Sequence, residues 1–256
     1  SQSKLPDEFI IVDGGSSDRT VAKIQNSKFK IQNYNLKFKI LVKKGNRSIG
    51  RNEAIRNAKG EIILCSDSGC VLDKNWIKNI MEPFRDQKVD PDSIGVDVVA
   101  GYYKGRPKNV FQKCLIPYVL VMEDRINKSE FLPATRSMAF RKNIWKKIGG
   151  FDEKYSHNED YIFANKLRSS GAKIVFAKNA VVYWSPRKNI KEAFTMFFRF
   201  AFGDGESGII RNKVMLVFAR YIFYLYFIIL FDMTMKSVCF VRNSFNIADC
   251  PRCFDD

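Results

Sequence analysis

Two adjacent carboxylates open a stretch of helical periodicity in the segment HNEDYIFANKL (157–167). Glu159 and Asp160 lie two and three residues after His157, the only histidine of the chain. Acidic residues in the first turn of a helix complement its unpaired N–H groups and its dipole, so this segment alone favours capping. A carboxylate at such a place is otherwise a proton acceptor in a reaction. The rest of the chain has to decide between the two.

Further polar residues stand beside predicted strands. Asp13 follows the apolar run EFIIV and precedes a Gly-Gly turn, which lets a ligand approach the backbone closely. Ser16 lies near the start of the next helix, where an anion is favoured. Asp67 follows the run EIILCS, where a carboxylate can meet a divalent cation on a diphosphate. Arg51, on the intervening helix, is a candidate for ribose or phosphate contact. Each also has a plain interpretation, as a turn former, a helix cap or a solvated charge.

The elements that carry these residues alternate between strand and helix. EFIIVDGG, FKILVKK and EIILCSD predict strands, whereas SSDRTVAKIQN, SIGRNEAIRNAKG and WIKNIMEPF predict helices. DVVAGYYKG predicts a further strand, AKIVFAKNAVVYWSPR two short strands and NIKEAFTMFFRFAFGDG an amphipathic helix. Such alternation predicts an α/β, Rossmann-like fold with a mostly parallel central sheet flanked by helices. Ligands bind such sheets at the carboxyl ends of the strands, where Asp13 and Asp67 lie.

The charge balance indicates an anionic partner. The chain has 43 Lys and Arg against 27 Asp and Glu, a formal net charge of +16. An anionic membrane surface, phosphorylated substrates or nucleic acid would fit, but the basic residues are scattered, which disfavours a dedicated nucleic-acid binder. The six cysteines show no disulfide framework, and the C-terminal CPRC lacks a second pair for zinc, so we expect reduced thiols in a cytosolic setting. The opening SQSKLPDEF does not have the pattern of a signal peptide.

The tail has a different composition. Residues 214–231 form an 18-residue stretch that is apolar or aromatic except for Arg220. A helix of this length spans roughly 27 Å, close to the thickness of a bilayer core. The stretch predicts a C-terminal hydrophobic helix that anchors the protein to the cytoplasmic side of a membrane, with an interfacial or buried helix as alternatives.

Taken in order, these segments resemble the catalytic domain of the family 2 glycosyltransferases, inverting enzymes with the GT-A fold. IIVDGGSSDRT is similar to the nucleotide-binding strand and turn of the family, and GRNEAIRNAKGEIILCSDSGC to the segment that leads to its Asp-x-Asp region. SMAFRKNIWKKIGGFDE and HNEDYIFANKLRSSGAKI together are similar to the acceptor-side stretch with its Glu-Asp pair. The resemblance covers about residues 5–205, so it predicts a catalytic domain over 1–205 and a membrane-associated tail over 206–256.

The resemblance implies a nucleotide-sugar donor, and it implies which residues bind it. Asp13 would contact the base, with Ser16 beside it in the nucleotide-binding turn. Arg51 and Asp67 would hold the ribose and the diphosphate. Asp67 would also be the ligand of a divalent cation, Mg²⁺ or Mn²⁺.

The resemblance also implies how a carbohydrate or lipid-linked acceptor is used. Asp160 would be the general base that deprotonates the acceptor hydroxyl. Glu159 would orient acceptor or phosphate groups, and His157 would stand beside it or only begin the helix. Arg199 would meet the leaving phosphates, or is a solvated helix residue.

The chain departs from the family pattern in two respects. Gly69 stands where the metal motif has its second acid, so cation binding would rest on Asp67, aided by Asp73 or by the phosphates themselves. The family also has a strand and helix before the motif that begins here at Glu8. We therefore expect a domain without this central strand, which binds its donor poorly by itself.

Two other functions stay open from the sequence. A nucleotidyltransferase can share the architecture. A non-catalytic, basic protein that binds a membrane or nucleic acid could retain the fold, and Gly69 with the missing strand favours this alternative.

Overall fold

The computed structural model describes residues 2–31, 36–85, 95–128, 130–209 and 219–234. The chain forms two compact units, Ser1–Ser207 and Gly208–Asp256. The described strands are β1 (Glu8–Asp13), β2 (Lys37–Val42), β3 (Ile62–Cys65), β4 (Cys70–Leu72), β5 (Val98–Gly105), β6 (Met138–Arg141) and β7 (Ile174–Trp184). The described α-helices of the first unit are α1 (Thr20–Ile31), α2 (Arg47–Asn57), α3 (Trp76–Met81), α4 (Val110–Val119), α5 (Lys142–Lys147), α6 (Glu159–Ser169) and α7 (Ile190–Glu206).

The main sheet is mixed. Its five strands lie in the order β3-β6-β5-β7-β4, and only the β5–β7 pair is parallel. The α/β class is therefore confirmed, but the expected mostly parallel sheet is wrong. Alternating strands and helices imply parallel crossovers, whereas β4 follows β3 through a tight turn and β6 enters between β3 and β5 in the opposite direction.

Helices cover both faces of this sheet. On β5, Val98 packs into a cluster with residues of α2, α5 and α6, while the next residue, Val99, packs with residues of α3 on the other face. Successive side chains of a strand point to opposite faces, so a run of apolar residues supplies both layers. Val98 and Val99 are fully buried, as a central strand requires.

One strand replaces the two short strands expected near residue 180. The pairing of β7 with β5 slips between Gly101, opposite Ala177, and Tyr102, opposite Val181. Because residues 178–180 have no partner in this register, the strand bulges there. Beyond the bulge, β5 and β7 carry Tyr103 and Trp184 towards the candidate site.

The strands β1 and β2 form a separate parallel pair. Among the described strands, β1 pairs only with β2 and β3 only with β6. The start of β1 still meets the segment before β3, because Glu8 Oε1 accepts a hydrogen bond from Gly60 N at 3.0 Å.

The second unit is described over residues 219–234, which are helical. Its large apolar side chains from Tyr221 to Met233 are 37–67% exposed. Within the described ranges, no helix is both long and apolar enough to cross a bilayer. The first five residues of the predicted anchor 214–231, and the whole CPRC segment, lie outside those ranges.

Candidate functional site

Arg51 on α2 is the centre of the site. Its Nη1 donates to Glu159 Oε1 at 2.6 Å, and its Nη2 donates to Asp67 Oδ1 at 2.8 Å and Thr135 Oγ1 at 2.9 Å. One guanidinium therefore joins the start of α6, the turn after β3 and the turn before β6. Asp67 and Glu159 raise the pKa of Arg51 against the effect of its burial, so it stays charged.

The neighbouring Asn52 holds α2 against the loop that leads to α6. Its amide donates to Phe151 O at 2.8 Å, and its Oδ1 accepts from Phe151 N at 3.0 Å. Gly150 is needed beside it because its φ is +71° and a Cβ there would lie 2.9 Å from Asn52 Oδ1. The GGFDE loop (149–153) is thus fixed against α2, and α6 begins a few residues later.

The two acids at the start of α6 have different surroundings. Glu159 is 3% exposed and pairs with Arg51, while Arg47 Nη2 lies 3.1 Å from its second oxygen. Asp160 has no ion pair among the described residues, and its Oδ1 accepts only from its neighbour Tyr161 N. Burial, and then the charge of Glu159, raise the pKa of Asp160, against the effect of Arg51. Glu159 is therefore held by two arginines, and a role of Asp160 as proton acceptor stays a prediction.

The end of α7 closes on the residues just before this pair. Glu206 Oε2 accepts from Ser156 N at 3.0 Å and Ser156 Oγ at 2.9 Å, and Asp204 Oδ1 accepts from Asn158 Nδ2 at 2.6 Å. His157 Nδ1 lies 2.8 Å from Ser156 Oγ. His157 therefore belongs to the junction between α6 and α7.

Asn158 has the one positive φ of a non-glycine residue in the described structure, +57°, at the N-cap of α6. A Cβ on Gly203 of α7 would lie 2.7 Å from His157 Cβ and 2.9 Å from Asn158 Cγ. The backbone of α7 thus packs so closely against this N-cap that a side chain at position 203 would collide with it.

Asp13 has its hydrogen bonds within its own turn. Its Oδ1 accepts from Ser16 Oγ at 2.6 Å, and its Oδ2 accepts from Ser16 N at 2.7 Å and Gly15 N at 2.9 Å. These bonds, led by the Ser16 hydroxyl, hold the pKa of Asp13 below its usual range. Asp13 is therefore a turn former, and a nucleotide contact for Asp13 or Ser16 stays a prediction.

The structure brings together only some of the predicted site residues. Arg51, Asp67 and Glu159 share direct contacts, and Asp160 adjoins them. Arg199 is exposed on α7, and no contact places it in this cluster. Its role with the leaving phosphates stays a prediction.

The side chains near Asp67 offer few ligands for a divalent cation. Asp67 Oδ1 already pairs with Arg51, and Gly69, at φ +85°, supplies no side-chain ligand. Asp73 Oδ1 accepts from Asn75 N at 3.0 Å. Across the described part of the chain, no three His, Cys, Asp or Glu side chains form a group that could hold a metal ion. These residues do not fit a cation held by the protein alone.

Sequence reasoning missed two residues in the turn before β6. Thr135 is fully buried, accepts from Arg51 and donates to Asp67 Oδ2 at 3.4 Å. Arg136 lies with its Cζ 4.9 Å from the Trp184 ring centroid and 5.5 Å from that of Tyr103. Neither belongs to a periodic pattern or a quoted motif, and their partners are 33 to 84 residues away. Only the fold brings them to the site.

Comparisons with known proteins point in one direction. The sequence model described as Glycosyl transferase family 2 matches residues 1–149. The O-antigen chain rhamnosyltransferase RfbN of Salmonella typhimurium is 25% identical over 210 residues, which cover 77% of this chain and 63% of RfbN. The chain thus spans less than two thirds of this relative.

Solved structures share the fold. Residues 1–349 of S. aureus TarS in complex with UDP match with a TM-score of 0.53 and 21% identity, over 72% of this chain and 53% of that one. The mannosyltransferase PcManGT from Pyrobaculum calidifontis, in complex with GDP-Man and Mn²⁺, matches with a TM-score of 0.53 and 18% identity, over 75% and 52%.

Proposed function

This chain belongs to glycosyltransferase family 2, and from that premise we propose that it transfers a sugar from a nucleotide-sugar donor to an acceptor hydroxyl with inversion. TarS is described with UDP and PcManGT with GDP-Man, and both share this fold. RfbN is named a rhamnosyltransferase. These relatives support a nucleoside-diphosphate donor.

The contrast between Glu159 and Asp160 carries the proposal. Both oxygens of Glu159 face arginines, whereas Asp160 has no ion pair among the described residues and a raised pKa. In an inverting displacement the acceptor oxygen attacks the anomeric carbon opposite the leaving diphosphate, and a base must take its proton. Asp160 serves as that base. Arg51 and Glu159 hold the start of α6 against α2 and so fix its position.

A carbohydrate, free or lipid-linked, is the proposed acceptor. RfbN is named for the O-antigen chain, which places that relative in polysaccharide synthesis. Trp184 and Tyr103 stand near the charges of Arg136 and Asp160, and aromatic side chains are common walls of ligand pockets. Nucleic acid is not a proposed partner.

We place the protein at the cytoplasmic face of a membrane. Helix α7 exposes apolar side chains to solvent: Ile190 (77%), Phe194 (71%), Phe198 (61%) and Phe202 (53%). Lys191 and Arg199 are exposed on the same helix, and the chain has a net charge of +16. Apolar side chains among basic ones suit an anionic membrane surface. The apolar helix at 219–234 supports the same location.

The test uses the full-length protein with UDP- and GDP-linked hexoses and a nucleotide-linked rhamnose. Release of the nucleoside diphosphate is followed with simple glycosides as acceptors, and NMR gives the anomeric configuration of the product. We expect release from one donor class and a product whose configuration is opposite to that of the donor. A product with retained configuration would contradict inversion, and binding of nucleotides without any release would favour the non-catalytic alternative.

A further inference from the structure

Arg136 is a cation held between aromatic rings rather than by carboxylates. Its Cζ lies 4.9 Å from the centroid of Trp184 and 5.5 Å from that of Tyr103. Within the described part of the chain it takes part in no ion pair. A guanidinium packed on ring faces keeps the N–H donors at its edge available, and these match the oxygens of a phosphate.

The position of this side chain is fixed by the fold. Arg136 lies in the turn closed by Ser137 N donating to Ala134 O at 3.0 Å, and the preceding Thr135 is anchored to Arg51. Trp184 belongs to β7, where it pairs with Cys70 of β4. Cys70 directly follows Gly69, so Arg136 stands beside the end of the Asp67–Gly69 turn.

The pKa shifts of two neighbouring groups agree with this location. Arg136 lowers the pKa of Asp160 and of Cys70, against the stronger effect of their burial. Its charge thus acts both on the proposed base and on the residue after Gly69.

The diphosphate that leaves the anomeric carbon needs positive charge beside it. When the bond from the anomeric carbon to the phosphate oxygen breaks, its electron pair stays on the diphosphate, while the acceptor oxygen bonds to the carbon and its proton passes to Asp160. Fixed positive charge facing the developing anion lowers this barrier. Asp67 and Gly69 do not fit a cation held by the protein alone, so other positive groups are needed to stabilise the leaving diphosphate.

We propose that Arg136, stacked between Tyr103 and Trp184, binds the diphosphate of the donor and neutralises it as it leaves. The inference rests on the proposed function and names a subsite of it. The diphosphate is then bound without a divalent cation as a requirement.

Calorimetry on the full-length protein tests this with three probes: inorganic pyrophosphate, UDP with GDP, and UMP with GMP, each in EDTA or in Mn²⁺. Pyrophosphate makes the result independent of which base the donor carries. The variants are Arg136→Ala, Arg136→Lys and, as a control of equal charge, Arg187→Ala, which alters an exposed residue after β7. Circular dichroism checks that each variant is folded.

We expect the wild type to bind diphosphates about equally in EDTA and in Mn²⁺. Arg136→Ala should weaken diphosphate and pyrophosphate binding by about tenfold or more and leave monophosphate binding nearly unchanged. Arg136→Lys keeps the charge without the planar fork, so its affinity should fall in between. Arg187→Ala should match the wild type.

Two results would overturn the inference while the proposed function stands: diphosphate binding that needs Mn²⁺, or unchanged diphosphate affinity in both Arg136 variants. No binding of any nucleotide or of pyrophosphate by the wild type would reject the nucleotide site itself, and the inference with it.

Discussion

Arg51 stabilises the site by linking three segments that are distant in sequence. Its guanidinium is 17% exposed and faces Glu159, which is 3% exposed. The second arginine on Glu159, Arg47, is 58% exposed and is therefore screened by water. The two arginines touch the same carboxylate, but their contributions to stability should differ widely.

Removing Arg51 should strongly destabilise the protein. Arg51→Ala leaves the Glu159 carboxylate buried beside only an exposed partner, so we expect a loss of about 3 kcal/mol in the free energy of unfolding. Arg47→Ala should cost less than about 1 kcal/mol. Urea denaturation of both variants measures this, and equal losses would show that the site does not depend on Arg51.

The raised pKa of Asp160 predicts the pH dependence of the rate. A base acts only when it is unprotonated, so activity should fall as pH decreases through a pKa above the ordinary value for Asp of about 3.9. The charge of Glu159 is one cause of the elevation. Glu159→Gln should therefore move the acid limb of the kcat profile to lower pH.

A profile measured from pH 4 to 8 on both proteins checks this pH dependence. An acid limb that stays in place in Glu159→Gln would mean that another group limits the rate at low pH.

At the level of elements, α7 determines where α6 begins. Asp204 and Glu206 accept hydrogen bonds from residues 156–158, and Gly203 packs against the same residues. Glu159 and Asp160 follow at once, so the geometry of the proposed base depends on contacts with residues 46 and 50 positions further along the chain.

Two glycines of α7 provide a matched test of this dependence. In Gly203→Ala the new Cβ would lie 2.7 Å from His157 Cβ, so the N-cap must shift, whereas at Gly205 nothing lies within 4 Å. A displacement of about 1 Å at a reacting group can cost about 100-fold, so kcat should fall by about 10- to 100-fold in Gly203→Ala with little change in nucleotide affinity.

Gly205→Ala should retain kcat and raise the melting temperature, since Ala favours helix by about 1 kcal/mol over Gly. Steady-state kinetics and thermal melts compare the two variants. Equal kcat in both would show that the α6–α7 junction has no part in positioning Asp160.

The sequence predicts elements better than their directions. Apolar runs locate β1, β2, β3 and β5, and helical sequence patterns locate α2 and α7, because these signals are local. Strand direction is set by contacts between distant segments. No local sequence pattern therefore indicates that β4 and β6 run antiparallel to their neighbours. The bulge in β7 has the same effect, since it interrupts the alternation and makes one strand look like two.

Some residues of the candidate site were likewise predictable from the sequence, and others were not. Arg51, Asp67 and the Glu159–Asp160 pair stand in motifs with recognisable spacing, so they could be found. Thr135 and Arg136 sit in a turn without a pattern of its own. Their roles depend on side chains that only tertiary packing brings near, such as Trp184 for Arg136.

For the molecule as a whole, the membrane proposal predicts binding to anionic vesicles that weakens with salt. Phe194→Ser and Phe198→Ser each remove one exposed ring from α7, and each should weaken binding by about tenfold, the loss expected for one inserted Phe side chain. Val42→Ser, which alters a side chain that is 63% exposed at the end of β2, is the control.

Co-sedimentation of the full-length protein with vesicles containing phosphatidylserine, in about 0.1 M and about 0.5 M salt, measures this binding. Equal binding by wild type and both Phe variants would remove α7 from the membrane contact.

The central claim is that Asp160 is the base of a glycosyl transfer whose donor site is built around Arg51. Its most direct test compares wild type and Asp160→Asn in the full-length protein, measuring donor turnover and nucleotide affinity together. Asn keeps the shape of the side chain but cannot accept the proton, so turnover should fall by about 100-fold or more while the affinity stays within about twofold. Turnover that survives in Asp160→Asn would contradict the account.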